Sequence, residues 1–194
     1  MQFLAPRPAT LTLPTDREVE AELGCADAQF LFQRAPHHPD KLFIGLEIRE
    51  PLVREVNREA AALGVPNLRA IYCNLNVDLP SLVADGSFSR VYINFPDPWF
   101  KKRHQKRRLM NDELIAVIHR KLRVGGELFF QSDVFDLGLD AMAVLEDATG
   151  LFANVNGPWS FARHNPYGAR SLREMRCEDR GMRIWRMCYR RLGA

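Results

Sequence analysis

Asp97 stands between Pro96 and Pro98, with Trp99 beside it and six Lys or Arg among the eight residues 101–108. A carboxylate accepts hydrogen bonds from N–H groups and can stabilise positive charge developing on a nearby ring. An indole offers a face for an unpaired base, a contact worth ~1–3 kcal/mol. The prolines stiffen the turn that carries both side chains. Clustered Lys and Arg favour a polyanion, because binding releases counterions condensed on phosphates. Other acids and amides recur along the chain: Glu22 just before Gly24, then Glu47, Asn74 and Asp133.

The elements around these residues explain their spacing. "VEAEL" (19–23) reads as a short strand, followed by a helical pattern near 28–35. "KLFIGLE" (41–47), "LRAIYC" (68–73), "RVYINF" (90–95) and "ELFFQS" (127–132) read as strands rich in apolar residues. "EPLVREVNREAAALG" (50–64) has apolar residues at helical spacing and a Gly stop. "NDELIAVIHRKLRVGG" (111–126) reads as a capped amphipathic helix ending at a Gly pair, and 134–147 as another helix. "MRIWRMCYRR" (182–191) alternates apolar and basic residues, as a half-exposed strand does. Alternating strands and helices predict an α/β fold with a mostly parallel sheet and one antiparallel edge strand. Ligands of such sheets sit beyond the carboxyl ends of the strands. Glu22, Gly24, Glu47, Asn74, Asp97 and Asp133 all fall on that edge.

Glu47 lies 23 residues after Gly24, where an acid can hold the two hydroxyls of a ribose. The first loop lacks the GxGxxG that lets backbone amides close on a pyrophosphate, since Gly24 is followed by Ala26 and Ala28. A nucleoside cofactor without phosphates, such as S-adenosylmethionine, suits it better, and an NAD(P)-dependent enzyme is disfavoured.

The 194 residues are expected to form a single domain over 1–194, with 1–18 as a short N-terminal extension. Composition is that of a globular protein, with 46% hydrophobic and 26% charged residues. No apolar run approaches the ~20 residues of a membrane helix, and the N-terminus does not read as a signal peptide. Four cysteines without metal spacing point to reduced thiols, a cytoplasmic location and no metal site. The net charge of +3 is uneven. Residues 91–194 carry 18 basic and 12 acidic side chains, and the excess sits in two islands: 101–108, and 163–191 with nine arginines. The plain alternative is a solvated loop and tail.

"FIGLEI", "NLRAIYCN", "INFPDPWFKKRHQKRR", "GGELFFQSD" and "SLREMRCEDRGMRIWRMCYR" resemble the bacterial tRNA (guanine-N7-)-methyltransferases over residues 22–190. The resemblance implies a Rossmann-like S-adenosylmethionine-dependent methyltransferase fold. It implies methyl transfer to N7 of a guanosine in the variable loop of tRNA. By position it assigns Glu22, Gly24, Glu47, Asn74 and Asp97 to the cofactor, with Asp97 as the catalytic carboxylate. It assigns Lys101, His104, Arg107, Asp133 and the segment Ser171, Arg173, Glu174 to the substrate. Asn74 stands where many members have Asp, and Ser171 where they have Thr. The loop "GCADA" lacks the later glycines of the family's GxGxG, so an RNA-binding protein of the same fold with weakened or lost cofactor binding is the alternative.

The expected partner is tRNA, with no membrane and no metal; monomer and homodimer are both open. Each residue also has a plainer role: Trp99 as core or hinge, Glu47 as a helix cap, Ser171 and Glu174 as a capping box, His104 as a solvated side chain.

Overall fold

Seven strands form one sheet in the order β3-β2-β1-β4-β5-β7-β6 in a computed structural model that describes residues 10–98, 109–148 and 150–193. The strands are β1 (Val19–Leu23), β2 (Leu42–Glu47), β3 (Leu68–Tyr72), β4 (Phe88–Asn94), β5 (Leu122–Ser132), β6 (Phe152–Asn154) and β7 (Trp185–Arg191). The first five pair in parallel, and β7 runs antiparallel to both β5 and β6. β2 is buried along its whole length, which explains its nearly continuous apolar sequence, and β1 is equally buried although it carries Glu20 and Glu22.

The helices are α1 (Gln29–Arg34), α2 (Glu50–Ala62), α3 (Leu79–Leu82), α4 (Asp112–Lys121), α5 (Phe135–Asp147) and α6 (Leu172–Asp179). One face of the sheet, presenting Phe43, Tyr92 and Phe129, is covered by Phe30 and Leu31 of α1 and Val53 and Val56 of α2. The other, with Ile44, Val91, Leu128 and Met187, meets α3, α4 and α5 through Leu79, Ile118 and Leu137. α4 begins where the Asn111 side chain accepts the Leu114 amide at 2.9 Å. Its acids Asp112 and Glu113 sit in the first turn and its bases in the last, as the helix dipole favours.

Two expectations need revision. The glycine pair 125–126 does not end α4, which stops at Lys121. Gly125 turns left-handed (φ 76°) inside β5, where the register against β4 slips, and a Cβ on Gly126 would lie 2.9 Å from the Arg123 carbonyl. The pair serves a bulge. The antiparallel strand β7 is not the edge, because the short β6 pairs outside it. α3 and β6 are additional elements, whose four and three residues carry too little periodicity to be read from the sequence.

Two close contacts tie α1 and the loop before it to the sheet. Gly45 in β2 admits the Cys25 side chain, and a Cβ there would come within 2.5 Å of Cys25 Sγ. Arg34 of α1, 4% exposed, pairs with the buried Glu20 (2.9 Å) and donates to the Tyr167 carbonyl (2.9 Å). Glu20 also accepts from Lys41, Arg90 and the Tyr92 hydroxyl, so this buried charge has full compensation. Arg34 thereby fastens α1 to the segment that leads into α6.

Candidate active site

A cleft of about 870 Å³ opens at the carboxyl ends of the parallel strands, a size typical of small-molecule sites. Glu22, Gly24, Glu47, Asn74, Asp97 and Asp133 all line it, with Ser171 and Arg173 also on its walls. Lys101, His104, Arg107 and the indole of Trp99 lie outside the described residues.

The first loop folds over the end of β2. The amides of Gly24 and Cys25 both reach the Leu46 carbonyl, at 2.7 and 3.2 Å. Gly24, Ala26 and Ala28 are all left-handed, with φ of 74°, 50° and 53°. The alternation that glycines would make easily is therefore kept by two alanines, each bearing a Cβ in a region that disfavours it. The turn aims the Ala26 amide at Glu47 Oε2, 3.0 Å away.

Glu47 is buried at the end of β2. Oε1 accepts the Arg49 amide and Nε, both at 2.9 Å, and Oε2 accepts Arg49 Nη2 at 3.1 Å as well as Ala26. Burial alone would raise its pKa, but the Arg49 guanidinium and the two amides outweigh it and hold the carboxyl below its ordinary value. The bond to the Arg49 amide, at the N-cap of α2, retains part of the capping role.

Glu22 contrasts with it. Its side chain is 3% exposed within β1, Oε1 accepts from Asn94 Nδ2 at 2.7 Å, and Oε2 has no protein donor. Burial pushes its carboxyl up to about 8, against the Asn94 bond and with the help of nearby Asp27 and Glu47.

Asp97 is exposed on the turn after β4. The turn is set by Phe95, which is left-handed (φ 51°) although bulky and followed by proline, with its amide held by the Gln131 carbonyl at 2.8 Å. Such strain persists only where the surroundings enforce it, and it redirects the chain so that Pro96-Asp97-Pro98 faces the cleft. Asp97 is also near enough to Arg49 to favour its charged form. Asn74 makes an Asx turn, its Oδ1 taking the Asn76 amide at 3.2 Å.

The α6 residues divide. Ser171 caps the helix, accepting the Glu174 amide at 3.2 Å. Arg173 pairs with Asp133, and Arg176, one turn on, lines the same cleft. Glu174 does not face the cleft: it is 0% exposed and points into the sheet. Its oxygens accept from Gln131 (2.8 Å), Arg186 (2.8 Å) and Asn165 (3.0 and 3.1 Å). Sequence reasoning passed over Arg49, Arg176, Asn94 and Gln131. Arg176 had a signal in its i, i+3 spacing from Arg173, and Arg49 in its place two residues after Glu47.

Among the described residues there is no group of three or more His, Cys, Asp or Glu placed to hold a metal ion, and no helix is long and apolar enough to cross a membrane. All four cysteines are buried and free.

Residues 16–187 match the model of the family described as "Putative methyltransferase". The tRNA (guanine-N(7)-)-methyltransferase of Prochlorococcus marinus (strain MIT 9303) is 35% identical over 192 residues, covering 96% of this chain and 80% of the relative. That of Trichormus variabilis is 40% identical over 175 residues, covering 88% and 80%. Among solved structures, the 16S rRNA methyltransferase KamB superposes with a TM-score of 0.67 at 14% identity, covering 92% of this chain and 90% of that one. A SAM-dependent methyltransferase from Aquifex aeolicus gives 0.59 at 11%, covering 92% and 85%. At such identities the structures speak for the fold alone, which is Rossmann-like. The sequence relatives share far more, over most of both lengths, and the chain belongs to the tRNA (guanine-N(7)-)-methyltransferase family.

Proposed function

We propose that this protein transfers the methyl group of S-adenosylmethionine to N7 of a guanosine in the variable loop of tRNA. The observation that carries the reading is the convergence of Glu22, Glu47 and Asp97 on one cleft, in a chain whose relatives are named for this reaction.

The cleft suits a nucleoside ligand bearing an amino-acid tail. Glu22 Oε2 is a buried acceptor without a donor, and a position for a Cβ on Gly24 meets nothing within 4 Å. S-Adenosylmethionine brings a methyl group already activated on a positively charged sulfur. N7 of guanine carries a lone pair and no proton, so the protein has no base chemistry to supply, and alignment remains. Glu47 takes the ribose hydroxyls, Asn74 the adenine end, and Glu22 with the Gly24 turn the rest of the cofactor. Asp97 accepts the N1 and N2 hydrogens of guanine, turns N7 inward, and stabilises the positive charge that develops on the purine. Ser171, Arg173 and Asp133 hold the substrate from the α6 side. Lys101, His104 and Arg107 grip flanking phosphates, and Trp99 stacks on a base.

The left-handed Ala26 and Ala28 favour a second reading, an RNA-binding protein of this fold with weakened cofactor binding. Calorimetric titration with S-adenosylhomocysteine, then radiolabelled methyl transfer to bulk tRNA, separates the two. Borohydride reduction and aniline cleavage locate the product. The proposal expects binding, transfer and scission in the variable loop. RNA binding without transfer would overturn it in favour of the second reading.

A further inference from the structure

Asn94, Gln131 and Arg186 face one another across β4, β5 and β7, as direct register partners. Their side chains form one hydrogen-bonded file running in a single sense. Arg186 Nε donates to Gln131 Oε1 at 3.1 Å. Gln131 Nε2 donates to Asn94 Oδ1 at 2.9 Å. Asn94 Nδ2 donates to Glu22 Oε1 at 2.7 Å. Gln131 Nε2 gives its second hydrogen to Glu174 Oε2 at 2.8 Å, so both ends of its amide are committed. The file starts at a buried guanidinium that also holds Glu174, and it ends at the carboxyl of Glu22, a residue of the cleft lining whose Oε2 is buried and has no donor.

We propose that Asn94 and Gln131 are positioning residues that couple ligand occupancy at Glu22 to the seating of α6, so that cofactor and tRNA bind more tightly together than apart. The inference rests on the functional reading above. A donor group arriving at Glu22 Oε2 fixes negative charge on Glu22. Every dipole in the file already points its hydrogen toward that charge, so each link strengthens in the low-dielectric interior. Burial, which holds Glu22 toward its neutral form without a ligand, gives the charge a large range over which to change. Beside the far end of the file, held by both Gln131 and Arg186, is Glu174, the inward anchor of α6. The cleft-facing side chains of that helix, Arg173 and Arg176, then gain a fixed place before RNA arrives. Glu174 thus acts on substrate binding through α6, with no atom exposed to touch RNA itself.

The test measures reciprocal coupling with S-adenosylhomocysteine and a tRNA transcript. In the wild type, saturating S-adenosylhomocysteine should tighten tRNA binding about five- to tenfold, and tRNA should tighten S-adenosylhomocysteine by the same factor. In Gln131→Met, both ligands should still bind, with a factor below about twofold. Should that variant fail to fold, hydrogen exchange on the wild type decides: S-adenosylhomocysteine alone should slow the amides of α6. Wild-type ligands that bind independently, coupling that survives Gln131→Met, or α6 exchange indifferent to S-adenosylhomocysteine would each overturn the inference and leave the functional reading standing. A wild type that binds neither ligand would sink both.

Discussion

Arg49 occupies Glu47 from two sides, through its amide and its guanidinium, and with the Ala26 amide it fills all four acceptor sites of the carboxylate. A ribose can be held by Glu47 only after the guanidinium withdraws. Arg49 is 60% exposed, so it has somewhere to go, and a partly solvated pair of this kind contributes little, about 0–1 kcal/mol.

Opposite effects on cofactor affinity follow for the two partners. Glu47→Ala should weaken S-adenosylhomocysteine binding by roughly 1–3 kcal/mol, the scale of hydrogen bonds to a charged group. Arg49→Met should tighten it by up to about fivefold, because the competing donor is gone. Isothermal titration of both variants checks this. Weaker binding by Arg49→Met would mean that Arg49 itself holds the ligand.

Ala26→Gly should stabilise the ligand-free protein by up to ~1 kcal/mol. Relief of a left-handed Cβ, about 1–2 kcal/mol, is partly offset by the greater freedom of glycine in the unfolded chain. Cofactor binding should be at least as tight as in the wild type. Thermal melts and titration of this one variant are sufficient, and a lower melting temperature would show that the turn does not strain Ala26.

Glu22 makes a pH prediction. Its carboxyl holds its proton to about 8 in the native protein, against an ordinary value of 4.5. Between those values the native state binds more protons than the unfolded chain, so this group lowers stability as pH rises through the window and adds nothing further above it. Glu22→Gln removes the titration. Its melting temperature should gain on the wild type steadily from pH 5 to pH 8, then run parallel. A constant offset across that range would show that Glu22 is already ionised at acidic pH.

How far the sequence speaks for the structure depends on the residue. The strands that end at Glu47 and shortly before Asn74 and Asp133 announce themselves by apolar runs, because a buried parallel strand has little room for polar side chains. The left-handed turn at Gly24 is legible, but its continuation through Ala26 and Ala28 is not: local preference opposes it, and the packing of Cys25 into the space left by Gly45 helps to hold it. Glu174 was unreadable for a different reason. At the third position of a helix that starts with Ser171 it looks like a surface capping acid. Its burial comes from Gln131, 43 residues away, and Arg186 on a strand that local pattern alone makes half-exposed. Arg186 alternates correctly but faces a carboxylate, not solvent.

The most direct test of the account is methyl transfer by Asp97→Asn. The side chain is exposed, follows a strained Phe95, and is assigned the guanine edge and the developing charge. Single-turnover transfer from radiolabelled S-adenosylmethionine to tRNA should fall at least tenfold, about 1.4 kcal/mol in the barrier. The melting temperature should be unchanged. A variant that methylates tRNA at the wild-type rate would contradict the catalytic assignment of Asp97.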